Sequence, residues 1–138
     1  EMRSHEVVLV TNGRDAIRTL ELQTFNAILL DIYMPKGEGQ DINLDNAYKQ
    51  LYSNGSEELP DGAVEKVMGL LILKIMAEKK IKTPVIVFSA FITSANLNIL
   101  AKLDKNGIDM RATLKKPASY CDIIEAIESA IKPMFAPA

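Results

Sequence analysis

Four short runs rich in β-branched and other apolar residues alternate with segments of helical period, and this alternation constrains the fold more than any other feature. The runs are Glu6–Val10, Asn26–Asp31, Pro84–Ser89 and Arg111–Lys116. Strands separated by helix-length connections belong to parallel sheets, because a parallel crossover must carry the chain back along the full strand. The first three runs are continuous in Val, Ile, Leu and Phe, as strands covered on both faces are. The predicted class is therefore α/β, a parallel sheet sandwiched by helices.

The connections carry the marks of helices. Asn12 is an N-cap with Asp15 three residues on, and Ala16, Ile17 and Leu20 follow on one face. Pro60-Asp61-Gly62 opens a longer helix to about Lys79, with Val64, Val67, Met68, Leu71, Ile72, Ile75 and Met76 as its apolar face. Thr93 or Ser94 caps a third that closes near Gly107; Ser119 caps a fourth, with Ile123, Ile124, Ile127, Ala130 and Ile131 inward, and Pro133 stops it. Residues from about 40 to 61 break the rhythm. They form a polar insertion with a short helix around Asn46–Tyr52, and such long connections are usually functional or mobile. A length of 138 residues predicts one domain over 1–138.

Composition removes several functions. A net charge of −2 with scattered Lys and Arg gives no general attraction for nucleic acid or anionic membrane. Cys121 is the only cysteine and His5 the only histidine, too few ligands for a zinc site or a Cys/His nucleophile pair. A lone cysteine, no long apolar stretch and a polar start predict a cytoplasmic protein.

Chemistry is expected where the strands end. Asp31, Ser89 and Lys116 each close a strand, and in a parallel sheet those ends share one rim, where ligands bind. A carboxylate can be a covalent nucleophile toward phosphorus, a hydroxyl can donate to a phosphoryl oxygen, and an ammonium offsets developing charge. Taken singly, each also has a plain reading as a turn residue, a turn hydroxyl or a solvated charge.

In the stretches Ala27-Ile28-Leu29-Leu30-Asp31-Ile32-Tyr33-Met34-Pro35, Thr83-Pro84-Val85-Ile86-Val87-Phe88-Ser89-Ala90 and Lys115-Lys116-Pro117, the chain resembles the receiver domain of two-component response regulators. Val7–Leu20 resembles that family's second strand and second helix. The resemblance implies a flavodoxin-like, receiver-type sheet and a signalling domain rather than an enzyme. It implies Asp31 as phosphoacceptor, Ser89 as switch hydroxyl, Lys116 as the phosphate-contacting lysine and a cis peptide before Pro117. It also implies Mg2+ held by Asp31 and the main-chain carbonyl of Tyr33, and a histidine kinase or phosphotransfer protein as partner.

The pattern departs from the family at its start and at the switch position. A receiver begins with a βα unit whose strand ends in an acidic pair, and residues 1–25 contain no counterpart. Without that pair magnesium loses two ligands; Glu38, Asp41 and Asp45 are the substitutes within reach in sequence. The absent strand is central in the order 2-1-3-4-5, so right-handed crossovers put the first three helices on one face and leave Ser119–Ile131 nearly alone on the other. An under-covered apolar face implies either residues upstream of Glu1 that complete the sheet or a second subunit that covers it, and a homodimer with or without exchanged elements is expected. Finally, Thr113 stands where receivers carry an aromatic switch residue. The alternative reading is a degenerate receiver serving as a binding or dimerisation module, with Tyr48 and Tyr52 of the insertion either contacting a partner or packing the insertion down. A haloacid-dehalogenase-like phosphatase needs a second Asp at the position of Tyr33, and Thr11-Asn12-Gly13-Arg14 is too short to cradle a flavin phosphate.

Overall fold

The run Val85–Ser89 is apolar toward both faces, and the sheet is built around it. The computed structural model describes residues 7–37, 42–52, 63–89 and 93–131. In chain order its elements are α1 (Gly13–Leu22), β1 (Ile28–Asp31), α2 (Ile42–Tyr52), α3 (Ala63–Lys66), α4 (Met68–Glu78), β2 (Val85–Ser89), α5 (Ser94–Lys105), β3 (Met110–Lys115) and α6 (Tyr120–Ile131). The strands are parallel in the order β1-β2-β3, with Leu30 opposite Val87, Asp31 opposite Phe88 and Ser89 opposite Lys115. A register irregularity lies between Val85 and Ile86 where β2 meets β3.

One helix organises the core. Met68, Leu70, Leu71, Ile72, Leu73, Ile75 and Met76 of α4 are all buried, and a helix apolar on nearly every side must be covered on every side. It lies against β1 and is flanked by α1, α2 and α5. Its polar residues Lys74 and Glu78 sit one turn apart and pair at 2.9 Å. The caps read from the sequence form: Asn12 Oδ1 accepts from the N–H of Asp15 at 2.8 Å, Thr93 Oγ1 from Asn96 at 3.1 Å, and Ser119 Oγ from Asp122 at 3.0 Å.

The predicted long helix from Pro60 is instead two helices. α3 ends at Lys66 and α4 starts at Met68, because the main chain around the break is bonded to the end of β1 rather than to itself. The N–H of Gly69 donates to the carbonyl of Ile32 at 2.9 Å, and the N–H of Met34 to that of Glu65 at 3.1 Å. The helix predicted around Asn46–Tyr52 is longer, Ile42–Tyr52, and buries Leu44 and Ala47.

Val7–Val10 does not join the sheet, against the strand predicted over Glu6–Val10. Nothing among the described residues pairs with it, and Val7 and Leu9 are 78% and 82% exposed. On the second face, α6 packs on β2 and β3, while α1, α4 and α5 share the first. Of the α6 residues expected inward, Ala130 is buried and Ile123, Ile124, Ile127 and Ile131 are half-buried, since one helix does not cover a three-stranded face. Leu29 at the sheet edge is 43% exposed. No helix among the described residues is long and apolar enough to cross a membrane.

Candidate functional site

At the carboxyl ends of the strands Asp31 and Lys116 pair through their side chains, and Ser89 joins Lys116 through its main chain. Asp31 is the last residue of β1, where an apolar strand gives way to the turn through Pro35. Its carboxylate Oδ2 pairs with Nζ of Lys116, a residue 85 positions away, and its Oδ1 accepts from the N–H of Tyr33 at 3.1 Å. Lys116 follows β3 directly; its N–H donates to the carbonyl of Ser89 at 2.9 Å, and the Lys116–Pro117 peptide is cis. Ser89 ends β2 and is 4% exposed.

Two residues that the sequence reading assigned no role complete the arrangement. The Lys116 ammonium stands 5.1 Å from the centroid of the Phe88 ring, a cation–π contact that holds the lysine stem across the end of β2. Gly69 lies directly on the end of β1. A Cβ there would stand 2.6 Å from the carbonyl oxygen of Asp31 and 2.7 Å from Cα of Ile32, so only glycine lets α4 approach so closely. An isolated glycine inside an apolar helical run was the signal available in the sequence.

Asp31 and Lys116 are each about one-third exposed, at 31% and 33%, so the pair is open to solvent and to a small reactant. Both carboxylate oxygens are already engaged. Each oxygen keeps a free lone pair, and the Lys116 ammonium beside Oδ2 is placed to meet negative charge brought to the carboxylate.

The other predicted residues lie elsewhere. Tyr33 contributes its N–H to Asp31 and exposes its side chain. Glu38 and Asp41 lie outside the described residues. Asp45 is on α2, 3.8 Å from the ammonium of Lys36. Thr113 lies on β3 opposite Val87, facing solvent. Tyr48 packs against the core, the plainer of its two readings, and the Tyr52 side chain is outside the described residues.

A magnesium ion would find Asp31 at this rim. That ion takes about six oxygens in near-octahedral array, and among the described residues no group of three Asp, Glu, His or Cys side chains converges on one point. Asp31 is the carboxylate at the rim, and its two oxygens are held by Lys116 and Tyr33. Among the described residues Asp31 therefore stands without the acidic pair that receivers add to it, and the substitutes Glu38 and Asp41 lie outside them.

No family model and no curated protein matches the chain. Solved structures that it resembles in fold include two response-regulator chains. The receiver domain of the Francisella response regulator 1452 superposes with a TM-score of 0.57 over 92% of this chain and 76% of that one, at 22% identity. The fold is receiver-like. A DNA-binding response regulator of the LuxR family from Staphylococcus aureus gives a TM-score of 0.56, covering 87% of this chain and 71% of that one at 20% identity. The receiver-like order 2-1-3-4-5 also accounts for the unpaired Val7–Val10. Second in sequence but outermost in the sheet, such a segment pairs with the first strand alone, and that strand has no counterpart among the described residues.

Proposed function

We propose that this receiver-like domain accepts a phosphoryl group on Asp31 from a histidine kinase or phosphotransfer protein in the cytoplasm, and signals through the resulting change at the rim. The observation supporting this is the Asp31–Lys116 pair, made between strand ends 85 residues apart beside the buried Ser89. A solvated surface pair has no need of that placement.

The transfer balances with the residues present. A carboxylate oxygen of Asp31 attacks phosphorus as the P–N bond to the donor imidazole breaks, and the departing nitrogen takes one proton from solvent so that the imidazole leaves neutral. An acyl phosphate remains on Asp31. Lys116 moves from the carboxylate to the phosphoryl oxygens, and the Ser89 hydroxyl donates to another of them. Because Lys116 is tied to β3 and Ser89 leads toward α5, both strand ends respond. A few kcal/mol of differential contact is enough to shift such a two-state equilibrium.

A second reading is favoured by the single carboxylate at the rim among the described residues: a receiver-like module that binds partners without phosphorylation. Acetyl phosphate separates the two. Intact-mass spectrometry should show a phosphoryl adduct that hydroxylamine removes and that Asp31→Asn eliminates. A chain that stays unlabelled, with and without magnesium and with beryllium fluoride leaving its spectrum unchanged, is the binding module.

A further inference from the structure

Lys116 carries its ammonium on a flexible stem, and with one-third of the side chain exposed many conformers are open to it. A solvent-open ion pair selects among them only weakly, because water screens the attraction and the ordering of two side chains offsets it. What keeps Lys116 at Asp31 comes from β2, which holds the residue at both ends. The N–H of Lys116 donates to the carbonyl of Ser89 at 2.9 Å, and its ammonium lies 5.1 Å from the centroid of the Phe88 ring. Two consecutive residues of β2 thus hold the main chain and the tip of one lysine.

Register places the ring for this task. Phe88 is opposite Asp31 on β1 and opposite Leu114 on β3, and residues opposite one another project to the same face of a sheet. The ring therefore stands between the carboxylate on β1 and the lysine that follows β3, and the Lys116 stem crosses it to reach Oδ2 of Asp31. Val85, Ile86 and Val87 are buried outright, whereas Phe88 is half-buried, so part of its ring is left over from core packing to meet the ammonium. The attraction is to the negative face of the ring and not to one atom, so the ammonium can shift across it and remain held. An ion pair with Asp31 alone offers no such latitude.

We propose that Phe88 is a positioning residue for the phosphoryl-accepting pair. Its ring holds the Lys116 ammonium at Oδ2 of Asp31 before transfer, and stays beneath it as it turns to the phosphoryl oxygens. This role rests on Asp31 as the phosphoacceptor and adds a requirement to it: residue 88 must present an aromatic face, and an apolar side chain of similar bulk does not suffice.

Three chains test it against the unmodified protein. Phe88→Leu keeps an apolar side chain and removes the ring, Phe88→Tyr keeps the ring, and a fluorinated phenylalanine placed at residue 88 keeps the ring's shape while draining the negative potential from its face. Two rates are read on each by mass spectrometry: reductive methylation of Lys116, and growth of the acetyl phosphate adduct on Asp31. Phe88→Leu and the fluorinated ring should each speed methylation about two- to five-fold and slow the adduct by a similar factor, with Phe88→Tyr close to the unmodified chain. Unchanged methylation in Phe88→Leu overturns the proposal. So does a fluorinated ring that behaves as phenylalanine while Phe88→Leu alters both rates, since packing alone then acts. If circular dichroism shows Phe88→Leu unfolded, the fluorinated and tyrosine chains, which preserve the ring's shape, decide. An unmodified chain that takes no adduct overturns the phosphoacceptor reading instead, and the methylation rates then decide the role of Phe88 by themselves.

Discussion

Asp31 and Lys116 are each about one-third exposed, which sets how their loss is felt. A solvent-open ion pair contributes under about 1 kcal/mol. Asp31→Asn should therefore change unfolding free energy by less than about 1 kcal/mol in urea titration while abolishing the acetyl phosphate adduct, so that function and stability separate at one residue. Gly69 behaves in the opposite sense. A methyl group there meets main-chain atoms of Asp31 and Ile32 that cannot give way, whereas at Gly13 it meets the end of the flexible Met68 side chain. Gly69→Ala should cost about 2–3 kcal/mol and Gly13→Ala about 1 kcal/mol, read from urea midpoints at constant slope. Asp31 and Lys116 were legible because a residue's type at a strand end is a local property. Gly69 was not, because its importance lies in what a distant strand brings against it.

Among the elements, local signals held wherever the bonds they describe are local. Asn12 caps α1 by accepting from Asp15 and also donates to the carboxylate of Asp15 at 2.9 Å, all within four residues. Asn12→Ala should lower stability by about 1 kcal/mol, visible as a shifted thermal midpoint. Its side-chain Oδ1 would stand 2.8 Å from a Cβ on Gly37, whose φ of +110° itself disfavours a side chain. Boundaries set by tertiary bonds were read wrongly. The apolar period from Val64 to Met76 runs through Val67 without interruption, and the helix nevertheless breaks there, because Gly69 and Glu65 bond to the turn after Asp31. Glu6–Val10 has a strand's composition and makes no strand among the described residues, because a strand exists only when another pairs with it.

For the molecule as a whole, the two faces of the sheet are unequal, and side chains of the same chemistry should differ accordingly. Leu71 is fully buried on α4, so Leu71→Ala should cost about 2–5 kcal/mol. Ile124 on α6 is half-buried, so Ile124→Ala should stay below about 1.5 kcal/mol; equal losses in chemical denaturation would show the second face covered in solution. The sequence by itself determined the class of the fold, the parallel run of its strands and the helix caps, since these follow from periodicity or from hydrogen bonds spanning a few residues; the order of the last three strands and the meeting of Asp31 with Lys116 were expected from the receiver resemblance and from the shared rim of a parallel sheet. Only the tertiary structure decided that Lys116 closes on Asp31 over the Phe88 ring, that α4 breaks to lie on the end of β1, and that Val7–Val10 stands apart from the sheet. Those outcomes depend on contacts between segments whose separation in sequence leaves no periodic trace.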